Sequence, residues 1–265
     1  MSRREILLPW VSQPQEAVDI ASQWRDDLLF AHTFISAKDI LGGIWTSTGS
    51  PSNVVNGHGL GVGHNSSYYL TSTESDRLLP NAPECSWLFV GTVTTSTTQY
   101  AVGGFGNLDS NTTRVQFDSY NGTLRSVFFN TAGSAASAAS SAYANGTPVA
   151  AVFSVSAGKV PSVYVRGIKF AGFVGTGTVG TYTGVRIGAL AKLNNIASAS
   201  QESNFHAAFR RALTDSEALA LCDNPWQIFA PRRIWVPVSA ASGPPTLAAI
   251  AASNLTASGA RLTVT

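Results

Sequence analysis

One stretch carries a complete set of helix start and stop signals, and it constrains how the rest of the chain can fold. In Thr214-Asp-Ser-Glu217 the threonine hydroxyl can accept from the Glu217 N–H while the Glu217 carboxylate reaches back, a capping box. Asp215 and Glu217 put negative charge in the first turn, where it suits the helix dipole. Leu219 and Cys222 follow at i, i+3, and Asn224-Pro225 stops the helix because the residue before a proline is pushed out of the α region. The prediction is one helix of about two turns, followed by a structural plug of Pro225, Trp226, Phe229, Pro231 and Trp235. Ala17 to Trp24 has only a weak helical pattern, so the chain must bury its core with strands.

Strand signals run through the sequence. Leu28–Ile35, Ile40–Trp45, Gly57–Tyr69, Glu84–Gly91 and Tyr100–Gly103 are apolar or alternating, as are Arg114–Asp118, Leu124–Phe129, Pro148–Phe153, Ser162–Arg166, Gly184–Gly188 and Asn204–Phe209. Glu84-Cys-Ser-Trp-Leu-Phe-Val-Gly91 is a continuous run suited to a sheet centre. Arg114–Asp118 and Leu124–Phe129 alternate with period two, and Asn121-Gly122 between them is a type I′ hairpin signal. The alternate glycines of Asn56–Gly63 fit a strand passing close to another backbone; no Lys-Ser/Thr follows, so they are not a phosphate loop. Ala132–Ala144 is low in complexity and reads as a loop. Roughly a dozen short strands with turn residues between them mean a two-sheet sandwich or barrel.

Composition narrows the class of function. Charged residues are 12% of the chain, about half the usual share, while 44% hydrophobic and 10% aromatic residues argue against disorder. The surface is therefore polar through hydroxyls. A net charge of +2 with no long basic run excludes electrostatic binding of nucleic acid and of membranes, and no segment reads as a membrane span. Cys85 and Cys222 leave two readings, a disulfide or two buried thiols.

The order of these pieces resembles the laminin-G or concanavalin-A-like jelly roll of bacteriophage and bacterial proteins. The residues that carry the resemblance are Ser86–Val90, Val163-Tyr-Val-Arg-Gly167, Val185–Gly188, the closing Phe209–Glu217 and the tail Asn224-Pro-Trp-Gln-Ile-Phe229. Arg166 departs from the asparagine usual before Gly167. The resemblance covers residues 28–236 and implies an all-β, concanavalin-A/laminin-G-like two-sheet jelly-roll sandwich with one short C-terminal helix. Residues 1–27, with Ile6, Leu7, Leu8 and Trp10, read as an N-terminal anchoring arm that docks on other virion or tail proteins in a homo-oligomer. Residues 237–265 read as a linker and the first strands of an immunoglobulin or fibronectin-III-like domain, too short for a core. The start is cut by Pro9 and does not read as a signal peptide, so action outside a cell implies another route, such as release in a virus particle.

A glycosidase on such a fold needs two carboxylates flanking the scissile bond, presented as alternate residues on one strand. The chain has no such pattern, and no Gly-x-Ser-x-Gly elbow, so no catalytic residue is expected. His58 and His64, read on one strand, stand ~20 Å apart, too far to share a zinc. The family resemblance implies calcium at one rim, for which Asp109 and Asp118 are the candidate ligands. Sugar binding calls for aromatic faces beside amides, and the candidates are Tyr120, Asn121, Asn107, Asn111 and Tyr100. The expectation is a virion structural protein (tail, baseplate or capsid decoration) that adheres to host-surface polysaccharide. The alternative is a secreted carbohydrate-binding module or lectin; a glycoside hydrolase ranks last.

Overall fold

In the computed structural model the structure describes residues 2–8, 13–14, 19–34, 39–64, 68–79, 82–93, 99–192, 201–238, 255–256 and 259–260. The strands of the first half are β1 (Ser2–Leu8), β2 (Leu28–His32), β3 (Thr46–Thr48), β4 (Ser52–Asn56), β5 (Gly59–His64), β6 (Tyr69–Ser72), β7 (Cys85–Val93), β8 (Tyr100–Gly106) and β9 (Arg114–Tyr120). The second half supplies β10 (Thr123–Phe129), β11 (Ala135–Ala139), β12 (Thr147–Val155), β13 (Pro161–Val165), β14 (Ile168–Ala171), β15 (Gly184–Ile187), β16 (Gln201–Phe209), β17 (Arg232–Val238), β18 (Leu255–Thr256) and β19 (Gly259–Ala260). Two helices interrupt them, α1 (Ser22–Arg25) and α2 (Asp215–Asp223), with 3-10 turns at Ser75–Arg77 and Pro225–Ile228.

The chain forms two units, residues 8–232 and a smaller one of residues 1–7 and 233–265. In the smaller unit β1 pairs with β17, and β18 with β19. Trp235 lies on β17 and its side chain is outside the described part. Trp10, the turn at 94–98 and the expected strands at 244–250 and 261–265 also lie outside the described residues.

The larger unit is a sandwich of two antiparallel sheets, one ordered β11-β10-β9-β8-β15-β6-β3 and the other β14-β13-β12-β7-β16-β5-β4, with β2 also on β16. It is an all-β jelly-roll-type sandwich with one short capped helix near its end. Alternation divides each central strand between two faces. On β7, Trp87 and Phe89 point between the sheets, where they meet Phe105, Phe117, Phe153 and Val185. Leu88 and Val90 point the other way, into a second apolar layer with Phe205, Phe209, Leu221, Trp226 and Phe229. Gly103 is needed because Trp87 lies across it: a methyl group there would stand 2.6 Å from the indole. Gly61 is needed in the same way, with the Ser203 carbonyl oxygen 2.5 Å from where its Cβ would be.

The helix forms as its signals predict. The Glu217 N–H donates to Thr214 Oγ1 at 3.3 Å and the Thr214 N–H donates to Glu217 Oε2 at 2.8 Å. Arg211 locks the corner, donating to both Glu217 oxygens at 2.8 and 2.7 Å and to Asp27 at 2.6 Å. Pro225 opens the 3-10 turn, and the Trp226 N–H donates to Asn224 Oδ1 at 3.2 Å. Asp19–Asp27, within the segment read as an arm, belongs to this larger unit: Ile20 and Trp24 are buried, Ile20 bridges to Phe229, and Trp24 meets Phe209 edge-on.

Two local expectations are corrected. Ala132–Ala144 is not all loop, because Ala135–Ala139 is strand β11 on β10, with Ala136 and Ala138 turned inward. Its alternation of small residues suits an edge strand even without apolar bulk. Ile40–Trp45 is not a strand but a loop tied around Asp39, whose carboxylate accepts from the N–H groups of Leu41 and Gly43, from Trp45 Nε1 and from Arg77 Nε. Gly42 at φ +88° permits the turn. Asn121 and Gly122, at φ 52° and 75°, form the expected primed hairpin. Arg166 takes the left-handed place of the usual asparagine at φ 50°, beneath its contact with the Tyr143 ring. Cys85 and Cys222 are free thiols, on opposite sides of one sheet.

Candidate binding site on the outer sheet face

The two sheets differ in what lies behind them. Behind the eight-stranded sheet sits the helical and aromatic layer. The seven-stranded sheet has no such apolar layer among the described residues, yet its outward row is not bland. On β9, Val115 and Phe117 enter the core, so Arg114, Gln116, Asp118 and Tyr120 share the outer face. Opposite them on β10, by register, stand Phe129, Val127, Arg125 and Thr123. On the other side β8 contributes Gly106 beside Arg114 and Gly104 beside Gln116, and β15 contributes Arg186 beside Gly104. Tyr69 on β6 lies under Arg186, whose guanidinium carbon is 5.4 Å from the ring centroid. Gly104 leaves the place between Arg186 and Gln116 without a side chain, while the Ala191 carbonyl lies over Gly106.

These polar groups are ordered by one another. Asp118 is fully buried and accepts from Arg125 Nε at 2.7 Å, from Gln99 Nε2 at 2.5 Å and from Gln116 Nε2. Arg114 Nε donates to Gln116 Oε1 at 2.8 Å, its Nη1 to the Asn111 carbonyl, and the guanidinium lies 3.5 Å above the Phe129 ring. Arg186 Nη1 donates to the carbonyls of Leu190 at 3.0 Å and Lys192 at 2.7 Å, while its Nε is buried without a partner among the described residues. Burial draws the Arg114 pKa down to about 10, against the smaller upward pull of Asp118. Burial likewise lowers Arg186, and it lowers Lys192 with help from the charge of Arg114.

The candidates read from the sequence fall at the two ends of this row. Tyr100 pairs with Ser119 beside Tyr120, and Asn121 is the adjoining turn. Asn107, Asp109 and Asn111 occupy the β8–β9 loop at the other end, where Asn107 Oδ1 accepts from the Asp109 N–H at 2.9 Å. Arg114 to Asp118 alone spans ~13 Å of strand, and two ligands of one calcium ion stand within ~5 Å of each other. Asp109 and Asp118 are therefore not brought together, and among the described residues no three His, Cys, Asp or Glu side chains are arranged to hold a metal. Tyr120 is 36% exposed, but Arg125 stacks over it at 4.7 Å, so one ring face is taken. Arg114, Gln116, Arg125 and Arg186 were not singled out from sequence. The Arg-Val-Gln-Phe-Asp alternation carried the signal for two of them.

A second polar concentration lies inside the core. His32, His64 and His206 meet where β2 and β5 abut β16, with Phe34 (φ 62°) against all three rings and His64 6.5 Å from His206. Trp87 Nε1 donates to His206 Nδ1 at 3.0 Å and the Phe34 N–H donates to His32 Nδ1 at 3.0 Å, so both rings carry their proton on Nε2. Burial holds His32 down to about 3 and His64 to about 4, and His206 well below the usual value, the neighbouring histidines adding to it for His32 and His206. His58 is apart from them, at the β4–β5 turn.

The chain matches no protein-family model and no curated protein. Solved structures share its fold at low identity. The binding domain of Paraclostridial Mosquitocidal Protein 1 has a TM-score of 0.58 at 13% identity, over 74% of this chain and 52% of that one. The botulinum neurotoxin type G receptor-binding domain has 0.55 at 10% identity, over 74% and 51%. The chain thus spans about half the length of these two structures. Domain 4 of AbnA, a GH43 extracellular arabinanase from Geobacillus stearothermophilus solved with arabinotriose, has 0.56 at 15% identity, over 74% of this chain and 98% of that domain. What is shared at these identities is the fold, a two-sheet β-sandwich.

Proposed function

We propose that the chain is a non-catalytic binding module that holds carbohydrate on the outer face of the seven-stranded sheet. The observation that carries this reading is the ordered row from the exposed Tyr120 through the buried Asp118 and Gln116 to the buried Arg114, flanked by Arg125 and Arg186. Such a set of amides, guanidinium groups and ring edges on rigid strands is what sugar hydroxyls require. It supplies no hydrolytic pair: Asp118 is the one carboxylate on β8, β9, β10 and β15, and it is held by Arg125, whereas glycoside hydrolysis uses two. The likeness to a domain solved with arabinotriose, spanning nearly all of that domain, supports a carbohydrate-binding module.

For the setting, we read the protein as a virion or tail-associated module of a bacteriophage, displayed outside the cell for adhesion to host polysaccharide. The Phe209–Glu217 and Asn224–Phe229 ending supports that reading through its resemblance to phage jelly rolls. A secreted accessory module is the second reading, favoured by the arabinanase domain. A glycan array with the wild-type chain and with an Arg114→Gln/Arg186→Gln double variant tests the binding. Wild-type signal lost in a folded double variant is the expected result; no signal on any glycan, or signal unchanged in the variant, sinks it. Mass spectrometry of purified particles separates the two settings.

A further inference from the structure

The outer face of the seven-stranded sheet has more positive charge than its own carboxylate answers. Among the described residues Arg77, Arg125, Lys169 and Arg211 have acidic partners within salt-bridge distance. Arg114, Arg186 and Lys192 have none, and the side-chain hydrogen bonds of the two arginines go to amide and carbonyl oxygens. These cations are half-buried or more, and burial already penalises their charged forms. A sheet that needed only to close over its core has no use for such a group: an alanine or threonine in its place avoids the desolvation. Among the described residues Arg186 also keeps a buried, unpartnered Nε on a planar fork suited to an oxyanion.

We propose that the ligand of this face is an anionic, carboxylate-bearing polysaccharide, its uronate groups taken by Arg114 and Arg186. The proposal rests on the carbohydrate-binding reading above and names its ligand class. Three features converge on it. Arg114 and Arg186 stand on strands that flank β8, about 10 Å apart across the sheet, so the site suits an extended chain with repeated charges rather than one small ion. Gly104 puts no side chain between Arg186 and Gln116, which the strand register sets on either side of it. Arg125 and Arg186 cover ring faces of Tyr120 and Tyr69, so recognition shifts from stacking toward charge-assisted hydrogen bonds.

The test is calorimetric titration of the full chain with a panel of uronic-acid oligosaccharides (galacturonate, guluronate and glucuronate-containing), each beside its methyl ester, and with neutral arabinan oligomers. Esterification removes the charge and keeps the sugar backbone. The expected result is binding of at least one acid form, about ten- to a hundredfold weaker as the ester. Arg186→Lys keeps the charge, loses the fork, and is expected to weaken the acid form with melting temperature unchanged. Arg25→Gln, on the opposite side of the sandwich, is expected to leave it alone. Equal affinity for acid and ester, or binding of arabinan but no uronate, overturns this inference and leaves the carbohydrate reading standing. Equal loss in Arg25→Gln and Arg186→Lys reveals unspecific polyanion attraction and also overturns it. No binding of any sugar ends both.

Discussion

The two outer faces of the sandwich are built from the same alternation and put to opposite uses. Behind the eight-stranded sheet, Leu88, Val90, Val152, Phe205 and Phe209 are roofed by α2, the Pro225–Ile228 turn, Trp226 and Phe229. Behind the seven-stranded sheet, Arg114, Gln116, Asp118, Arg125 and Arg186 are bonded to one another and to loop carbonyls. Apolar area roofed by aromatics contributes stability, at roughly 25 cal/mol per Å² removed from water. A row of ordered polar groups contributes little net stability, because each bond replaces one with water. On the proposed reading, the use of this row lies in what it binds.

The largest effect should come from the roof. Trp226 is 4% exposed between Phe205 and Phe229, so Trp226→Ala should cost about 3–5 kcal/mol in denaturant unfolding, with sugar affinity of the folded fraction unchanged. Lost affinity without lost stability would erase the distinction between the faces.

Acid should act on neither face but on the core between them. A histidine whose pKa falls on folding binds fewer protons in the native state, so its contribution is full above the ordinary value of 6.5 and drains as pH falls toward 4. His32, His64 and His206 all lie on that side, each with a limiting slope of about 1.4 kcal/mol per pH unit. Urea midpoints measured between pH 7 and pH 4.5 should fall steeply, and less steeply in His32→Phe. A flat profile would mean that the histidines titrate normally.

Smaller effects should sharpen the picture. Arg166→Asn relieves a left-handed arginine in the β13–β14 turn and should raise stability by a few tenths to about 1 kcal/mol; a loss would show that its contact with Tyr143 dominates. Arg186→Lys should change stability by no more than about 0.5 kcal/mol, its effect appearing in binding.

Local features were legible in the sequence and distant ones were not. The capping box of Thr214 and Glu217, the Asn121-Gly122 hairpin and the stop at Pro225 are fixed within a few residues, so they read directly. Strand β11 escaped because its Ala-Ala-Ser-Ala-Ala sequence has no hydrophobic contrast, and the Ile40–Trp45 loop misled because its apolar residues surround an Asp39 knot. The candidate site was half legible. The alternation on β9 placed Arg114, Gln116 and Asp118 on one face, whereas Arg186 joins them only because β15, some seventy positions later, pairs with β8.

Hydrogen–deuterium exchange of the chain with and without saturating polysaccharide tests the division of labour most directly. Slowed exchange is predicted in peptides covering Gly104–Tyr120 and Gly184–Lys192, with Asp215–Phe229 unaffected. Slowing confined to Asp215–Phe229, with the seven-stranded sheet unchanged, would place the binding surface on the roofed face and contradict the account.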